Sequence, residues 1–165
     1  MKPLVLGLGN ELLGDDGIGV LAARRMAEEL GGRAEVVESG LSGVALLDIL
    51  TGHRKAIIID AIQTARVPPG TIVELDPSEF RAIPNPSPHY TGLPEMMTLA
   101  RELNLEFPDE IRILAVEGQD IHTLGAPLSR PVAEAIDKLV QMVGTYLKQW
   151  ETTARREQAA CTSCA

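Results

Sequence analysis

The chain has 165 residues, 45% of them hydrophobic, with a mean hydropathy of +0.06: enough to bury one core and too little for two ordinary domains. A net charge of -8 and a pI of about 4.9 exclude the basic footprint that sequence-independent nucleic-acid binding needs. No run approaches the roughly 18 apolar residues that span a bilayer, and the first residues carry no signal-peptide cleavage pattern, so a cytoplasmic protein with no membrane partner is expected. In chain order, Lys2 to Leu8 reads as a buried strand that breaks into the glycine turn Gly7-Leu8-Gly9-Asn10. Residues 16 to 30 place Ile18, Leu21, Ala22, Met26 and Leu30 at helical spacing, and Gly31-Gly32 stops them. A second strand over Ala34 to Glu38 and a helix from Ser42 to Leu50, capped by Ser42, follow. Ala56-Ile57-Ile58-Ile59 is a fully apolar third strand closed by Asp60, and Thr71 to Leu75 alternates like an edge strand after Pro68-Pro69-Gly70. A proline-rich loop from Ile83 to Pro88, a helix from about Leu93 to Leu103, a strand from Ile111 to Val116 and a helix from Pro131 to about Trp150 complete residues 1–150. Residues 151–165 read as a flexible tail.

This alternation predicts an α/β fold, a three-layer αβα sandwich around a doubly wound, mostly parallel five-stranded sheet with one antiparallel edge strand. Right-handed crossovers place the first and third strands side by side, with the second outside. Ligands of such sheets bind beyond the carboxyl ends of the strands, where the winding reverses. Asp15, Asp16 and Asp60 would meet there.

Gly7 and Gly9 match the first two positions of a dinucleotide fingerprint, but Leu12 stands where the third glycine should be. Asp15 and Asp16 would also compete with a pyrophosphate for the amide dipoles, so this edge suits a cation better. Acidic residues in a first helical turn also favour the dipole by roughly 0.3 to 1 kcal/mol, which is the plainer reading of at least one of the pair. Burying a carboxylate at the end of an Ile-Ile-Ile strand costs several kcal/mol unless it is paired, so Asp60 implies a partner, a metal or a cap on the next turn. His89 follows Pro86-Ser87-Pro88, prolines that remove conformational freedom from the loop and can present the imidazole at a fixed place. Two carboxylates and an imidazole suit zinc, nickel or another borderline divalent ion, although a lone histidine before a helix is often a surface or cap residue. His53 and His122 have no comparable carboxylate context. Cys161 and Cys164 form a C-x-x-C pair with no second ligand pair nearby, which reads as part of a solvated tail or as a metal clip.

Gly7-Leu8-Gly9-Asn10-Glu11-Leu12-Leu13-Gly14-Asp15-Asp16-Gly17-Ile18-Gly19, Asp60-Ala61 after an apolar strand, and Ser87-Pro88-His89 with Gly92-Leu93 together resemble the hydrogenase maturation endopeptidase family. Ser39-Gly40-Leu41-Ser42-Gly43 resembles the glycine-rich loop after that family's second strand, and Gly125-Ala126-Pro127-Leu128-Ser129 precedes the last helix. The resemblance covers roughly residues 2 to 148. It implies a nickel-dependent protease, acting as a monomer, that removes a short C-terminal extension from the large-subunit precursor of a NiFe hydrogenase after nickel insertion. It also implies that Asp16, Asp60 and His89 are both the metal-binding and the catalytic residues. The nickel comes with the substrate, and other divalent ions such as zinc or cadmium can substitute. Position 16 departs from members that carry Glu: the shorter side chain either draws the metal nearer the helix start or lets Asp15 share in binding. The family is grouped with aspartic-type endopeptidases, yet the paired Asp-Thr-Gly or Asp-Ser-Gly motifs of pepsin-like enzymes are missing here.

A bound divalent ion could polarise the scissile carbonyl and activate a water, or one carboxylate could act as general base. Gly9, Asn10, Gly40 and Gly43 are expected to bind the extended substrate tail, because glycine loops can leave backbone amides available. Two other functions remain open on sequence alone. One is a nucleotide-binding module using Gly7, Gly9 and Glu38, and the other a non-hydrolytic metal-binding maturation chaperone that uses the cysteine tail.

Overall fold

The computed structural model describes residues 2–77 and 93–162. Five strands, β1 (Leu4–Leu8), β2 (Glu35–Ser39), β3 (Lys55–Ile62), β4 (Ile72–Leu75) and β5 (Glu110–Glu117), form one sheet in the order β2-β1-β3-β5-β4. The β1–β2, β1–β3 and β3–β5 pairs are parallel, and only β4 runs antiparallel, against β5. The doubly wound arrangement and its antiparallel edge strand are therefore as expected.

The middle stretches of the central strands are apolar because both faces of the sheet are covered. Val5, Ile57, Ile59, Leu114 and Val116 pack on one side with α1 (Ile18–Glu29) and α4 (Arg130–Thr162), through Ile18, Met26, Leu139, Val143 and Leu147. Leu4, Leu6, Leu8, Ile58 and Ile113 pack on the other with Leu46 and Leu50 of α2 (Leu46–Leu50) and Met96 of α3 (Leu93–Glu102). Each fully buried Leu or Ile contributes about 1.5–3 kcal/mol, so the buried side chains of β1, β3 and β5 are a main source of the sheet's stability.

α1 lies unusually close to β1. A Cβ on Gly7 would stand 2.1 Å from the Gly19 carbonyl oxygen, and one on Gly19 would stand 2.2 Å from Leu8 O and 2.4 Å from Ile59 O. Glycine at 7 and 19 thus permits the close helix–strand packing that the fingerprint's third glycine would have served.

Four boundaries differ from expectation. Asp60 does not close β3: the strand runs on to Ile62, because β5 continues alongside it with Asp60 opposite Ala115 and Ile62 opposite Glu117. The second helix is split into a 3-10 turn over Gly43–Ala45 and the short α2. Ser42 makes no side-chain capping bond at its start, so it is not the cap the sequence suggests. Asp15 and Asp16 lie in a 3-10 turn, Gly14–Gly17, just before α1 rather than in its first turn. Finally, α4 passes Trp150 and continues to Thr162, since nothing from Thr145 to Thr162 is Gly or Pro and the segment holds strong helix formers such as Ala154, Arg155 and Arg156. No helix among the described residues is long and apolar enough to cross a membrane.

α4 is anchored to the amino-terminal end of the sheet by a charged and aromatic cluster. Arg112 of β5 stands over the Tyr146 ring and bonds Glu74 Oε1 at 2.8 Å, while Tyr146 donates its hydroxyl to Glu74 Oε2. Lys55 sits above Trp150 and pairs with Glu110 at 3.2 Å. Burial pushes the Glu110 carboxyl up, but donors from Trp150, Lys55 and Arg112 outweigh it and hold the group below the ordinary carboxylate range.

Candidate active site

The carboxyl ends of β1, β2, β3 and β5 converge on one edge of the sheet, and the loops that leave them carry the acidic residues. Asp16 is 5% exposed and Asp60 is not exposed at all. Asp16 Oδ2 accepts a hydrogen bond from the Asn10 amide at 2.8 Å, and Asp60 Oδ1 accepts one from the Ala61 amide at 2.8 Å. A backbone donor thus orients each carboxylate. The two stand at the same edge of the sheet because Gly7 pairs with Ile59, the residue before Asp60, and α1 begins hard against the Ile59 carbonyl. Buried carboxylates converging from two parallel strands are a donor set for a hard or borderline cation. Among the described residues no group of three His, Cys, Asp or Glu side chains is placed to hold a metal ion. His89, the third residue that the sequence suggests, lies outside the described residues, as does Cys164.

Asp15 has a different task. Its Oδ2 accepts from the Gln119 amide at 2.7 Å, the Asp120 amide at 3.1 Å and the Ser129 hydroxyl at 2.9 Å, while Oδ1 accepts from the Ser129 amide at 2.6 Å. The Asp15 amide in turn donates to Asp120 O at 2.8 Å. Three of these donors fall on Oδ2 and one on Oδ1. Asp15 is a clasp between the turn that carries Asp16 and the loop after β5.

Glu117, which the sequence does not single out, is a second clasp. It is 1% exposed, and its Oε1 accepts from the Thr64 and Ala65 amides at 2.7 and 2.6 Å while Oε2 accepts from the Thr64 hydroxyl at 2.7 Å. It fixes the loop that follows Asp60 and β3. Its partners are 52 and 53 residues away in sequence, so no local pattern could reveal it.

The backbone of the first turn is turned inward. Gly9 donates to Ser39 O at 3.1 Å, Asn10 to Asp16, Leu12 to Asn10 Oδ1 at 3.0 Å, Leu13 to Asn10 O and Asp16 to Leu13 O. The amides that would grip a pyrophosphate already have protein acceptors. Glu38, which the nucleotide-binding alternative would use for a ribose, is held by Arg24 through bonds of 2.8 and 3.2 Å, and Arg24 also reaches Glu11 at 3.1 Å. By the same accounting the Gly9 and Asn10 amides, expected to bind a substrate tail, are engaged within the protein. Gly9 serves close approach instead, since a Cβ there would fall 1.9 Å from Asp16 O. His53 faces Lys2 O and Glu35 at the opposite end of the sheet and takes no part in this edge.

Comparison with known proteins places the chain in a family. A family model described as hydrogenase maturation protease matches residues 20–145. Hydrogenase expression/formation protein HupD of Rhizobium leguminosarum bv. viciae is 31% identical over 164 residues, which is 95% of this chain and 80% of that protein. The hydrogenase 2 maturation protease of Escherichia coli is 33% identical over 120 residues, 70% of this chain and 73% of its own length. Among solved structures, the hydrogenase maturating endopeptidase HybD from E. coli superposes with a TM-score of 0.76 at 29% identity, covering 90% of this chain and 93% of that one. The NiFe hydrogenase maturation protease HybD from Thermococcus kodakarensis gives 0.71 at 30% identity, covering 89% and 99%. With a family model spanning most of its length and relatives at this level of identity and coverage, the chain belongs to the hydrogenase maturation protease family.

Proposed function

We propose that this protein is a cytoplasmic endopeptidase that removes the C-terminal extension of a NiFe hydrogenase large-subunit precursor once nickel has been inserted, with Asp16, Asp60 and His89 as its metal-binding and catalytic residues. The observation that carries this reading is the pair of buried carboxylates, Asp16 and Asp60, each oriented by a backbone amide at the carboxyl edge of the sheet in a chain of this family. Nickel is here part of the substrate. When present it supplies Lewis-acid polarisation of the scissile carbonyl. Asp16 and Asp60 sit at fixed, buried places, where attraction between a carboxylate and a cation is stronger than in bulk solvent. A nickel-loaded precursor would gain that attraction and a nickel-free one would not, which favours binding of the loaded form. The family's grouping with aspartic-type endopeptidases fits a role for one of these carboxylates as general base.

The test is to incubate the purified protein with nickel-loaded and nickel-free forms of the cognate precursor and follow loss of the C-terminal peptide by intact mass. Cleavage of the loaded form alone is expected. Asp60→Asn and His89→Ala should keep the wild-type circular dichroism and melting profile yet leave the precursor uncut. Normal processing by both variants refutes the assignment.

A further inference from the structure

Among the described residues, six large aliphatic side chains are strongly exposed: Leu12, Leu41, Val44, Leu99, Leu103 and Leu124. Leu99 lies on α3 and Leu103 just past its end, the Leu103 amide donating to Leu99 O. The other four occur in the three loops that leave β1, β2 and β5, at the edge that carries Asp16 and Asp60, and are exposed by 60%, 50%, 68% and 75% in chain order. These loops are fastened to one another. The Gly125 amide, next to Leu124, donates to Leu12 O at 2.7 Å. The Gly9 amide donates to Ser39 O, and Leu41 is held in turn by its own amide donating to Ser39 Oγ at 3.1 Å. Asp15 binds the 119–129 loop to the first turn. The four aliphatic groups therefore ride on a fixed frame, and ordering them on contact costs little backbone entropy.

Charged groups surround them. Glu11, Arg24 and Glu38 form an exposed ion network beside the β1 and β2 loops, and Asp120 lies in the β5 loop. Apolar anchors inside a polar rim are the anatomy of a protein–protein contact. Arg24 is matched by two carboxylates, so this rim is acidic, in keeping with a chain of net charge -8. The complementary partner is an apolar patch flanked by basic side chains. A protein whose tail enters the Asp16–Asp60 crevice must rest its body on the loops around that crevice, so continuity with the site selects the substrate as occupant.

Building on the precursor-processing reading above, we propose that Leu12, Leu41, Val44 and Leu124 form the docking surface for the folded body of the precursor, while the crevice takes only the tail. Recognition is thereby divided between a shape-fitting contact on the rim and chemistry at the buried carboxylates.

Leu12→Glu, Val44→Glu and Leu124→Glu test this against nickel-loaded cognate precursor, with Leu103→Glu, just past the end of α3, as the control. All four side chains are exposed, so each variant should fold as the wild type does. Each rim variant is expected to raise KM about tenfold, equivalent to about 1.4 kcal/mol of lost binding, with kcat within about twofold of wild type and Leu103→Glu unaffected. Wild-type KM in all three rim variants overturns the docking surface while leaving the protease reading intact. A wild-type protein that cuts no loaded precursor overturns both. Sedimentation supplies one further outcome: if the wild type self-associates, and the rim variants are monomeric but process with unchanged KM, the patch joins two copies of this chain and the proposal falls.

Discussion

Removing the Asp15 carboxylate should open the carboxyl edge of the sheet without touching the core. In Asp15→Ala, the amides of Gln119, Asp120 and Ser129 and the Ser129 hydroxyl lose their acceptor together, at a place where the lost side chain is 1% exposed. Hydrogen bonds to a charged group contribute about 1.5–3 kcal/mol each. They do not add fully here, because the freed donors lie in a partly exposed loop and recover some hydration. The expected loss is roughly 3–5 kcal/mol, comparable to breaking one side of a buried pair. At about 2–4 °C per kcal/mol for a chain of this length, Tm should fall by roughly 10 °C. Urea unfolding gives the magnitude, and amide exchange gives the place: Gln119, Asp120 and Ser129 should lose protection while Leu6 and Ile58 in the central strands keep theirs beneath the new global limit. A loss below about 1 kcal/mol with unchanged exchange at those three amides would refute the clasp. Loss of precursor cutting at unchanged stability would instead move Asp15 into the chemistry.

Gly19→Ala should cost at least about 3 kcal/mol, because its new Cβ meets backbone oxygens of Leu8 and Ile59 that cannot swing aside, whereas Gly144→Ala, with nothing within 4 Å and a helical backbone, should gain about 0.5–1 kcal/mol; chemical denaturation of the two variants separates these signs. Glu110 predicts a pH dependence. Its carboxyl is held below the ordinary range when folded, so its stabilisation is present above the ordinary glutamate pKa and is lost as pH falls through the folded value. Melting temperatures measured from pH 6 down to pH 3 should therefore decline less steeply below about pH 4.3 in Glu110→Gln, a difference of about 0.5 kcal/mol at most for a side chain 35% exposed. An equally steep decline in the variant would show that the Lys55–Trp150–Arg112 surroundings do not hold that carboxyl down.

The parts of this molecule legible in its sequence are those written in local periodicity. Leu4 to Leu8 and Ile57 to Ile59 read as strands because a parallel sheet covered on both faces demands unbroken apolar runs, and the edge strand at Ile72–Leu75 read correctly because it alternates. What escaped depended on distant partners. Composition places the end of β3 at Asp60, but the chain pairs onward to Ile62 because β5 lies alongside. The clasp at Asp15 joins residues 104 to 114 positions apart, and that at Glu117 joins residues 52 and 53 apart, so neither leaves a spacing to find. Gly17-Ile18-Gly19 was visible as part of a motif, yet its purpose, letting α1 settle onto the ends of β1 and β3, appears only in three dimensions. The carboxylates themselves were legible as a pair, since a doubly wound sheet must bring the ends of its first and third strands together.

The Asp15 clasp also sets when this protein can acquire activity. A ribosome releases the turn bearing Asp16 long before it makes Gln119, Asp120 and Ser129, and β5, which completes the surroundings of Asp60, is equally late. Domains emerge amino end first, and contacts spanning most of a chain form last. A nascent chain holding only β1, α1, β2, α2 and β3 carries Asp16 and Asp60 without the loop that fastens their edge. The edge that bears Asp16 and Asp60 is thus completed only after β5 and the loop through Ser129 have been made, so its assembly waits on the carboxyl-terminal third of the chain.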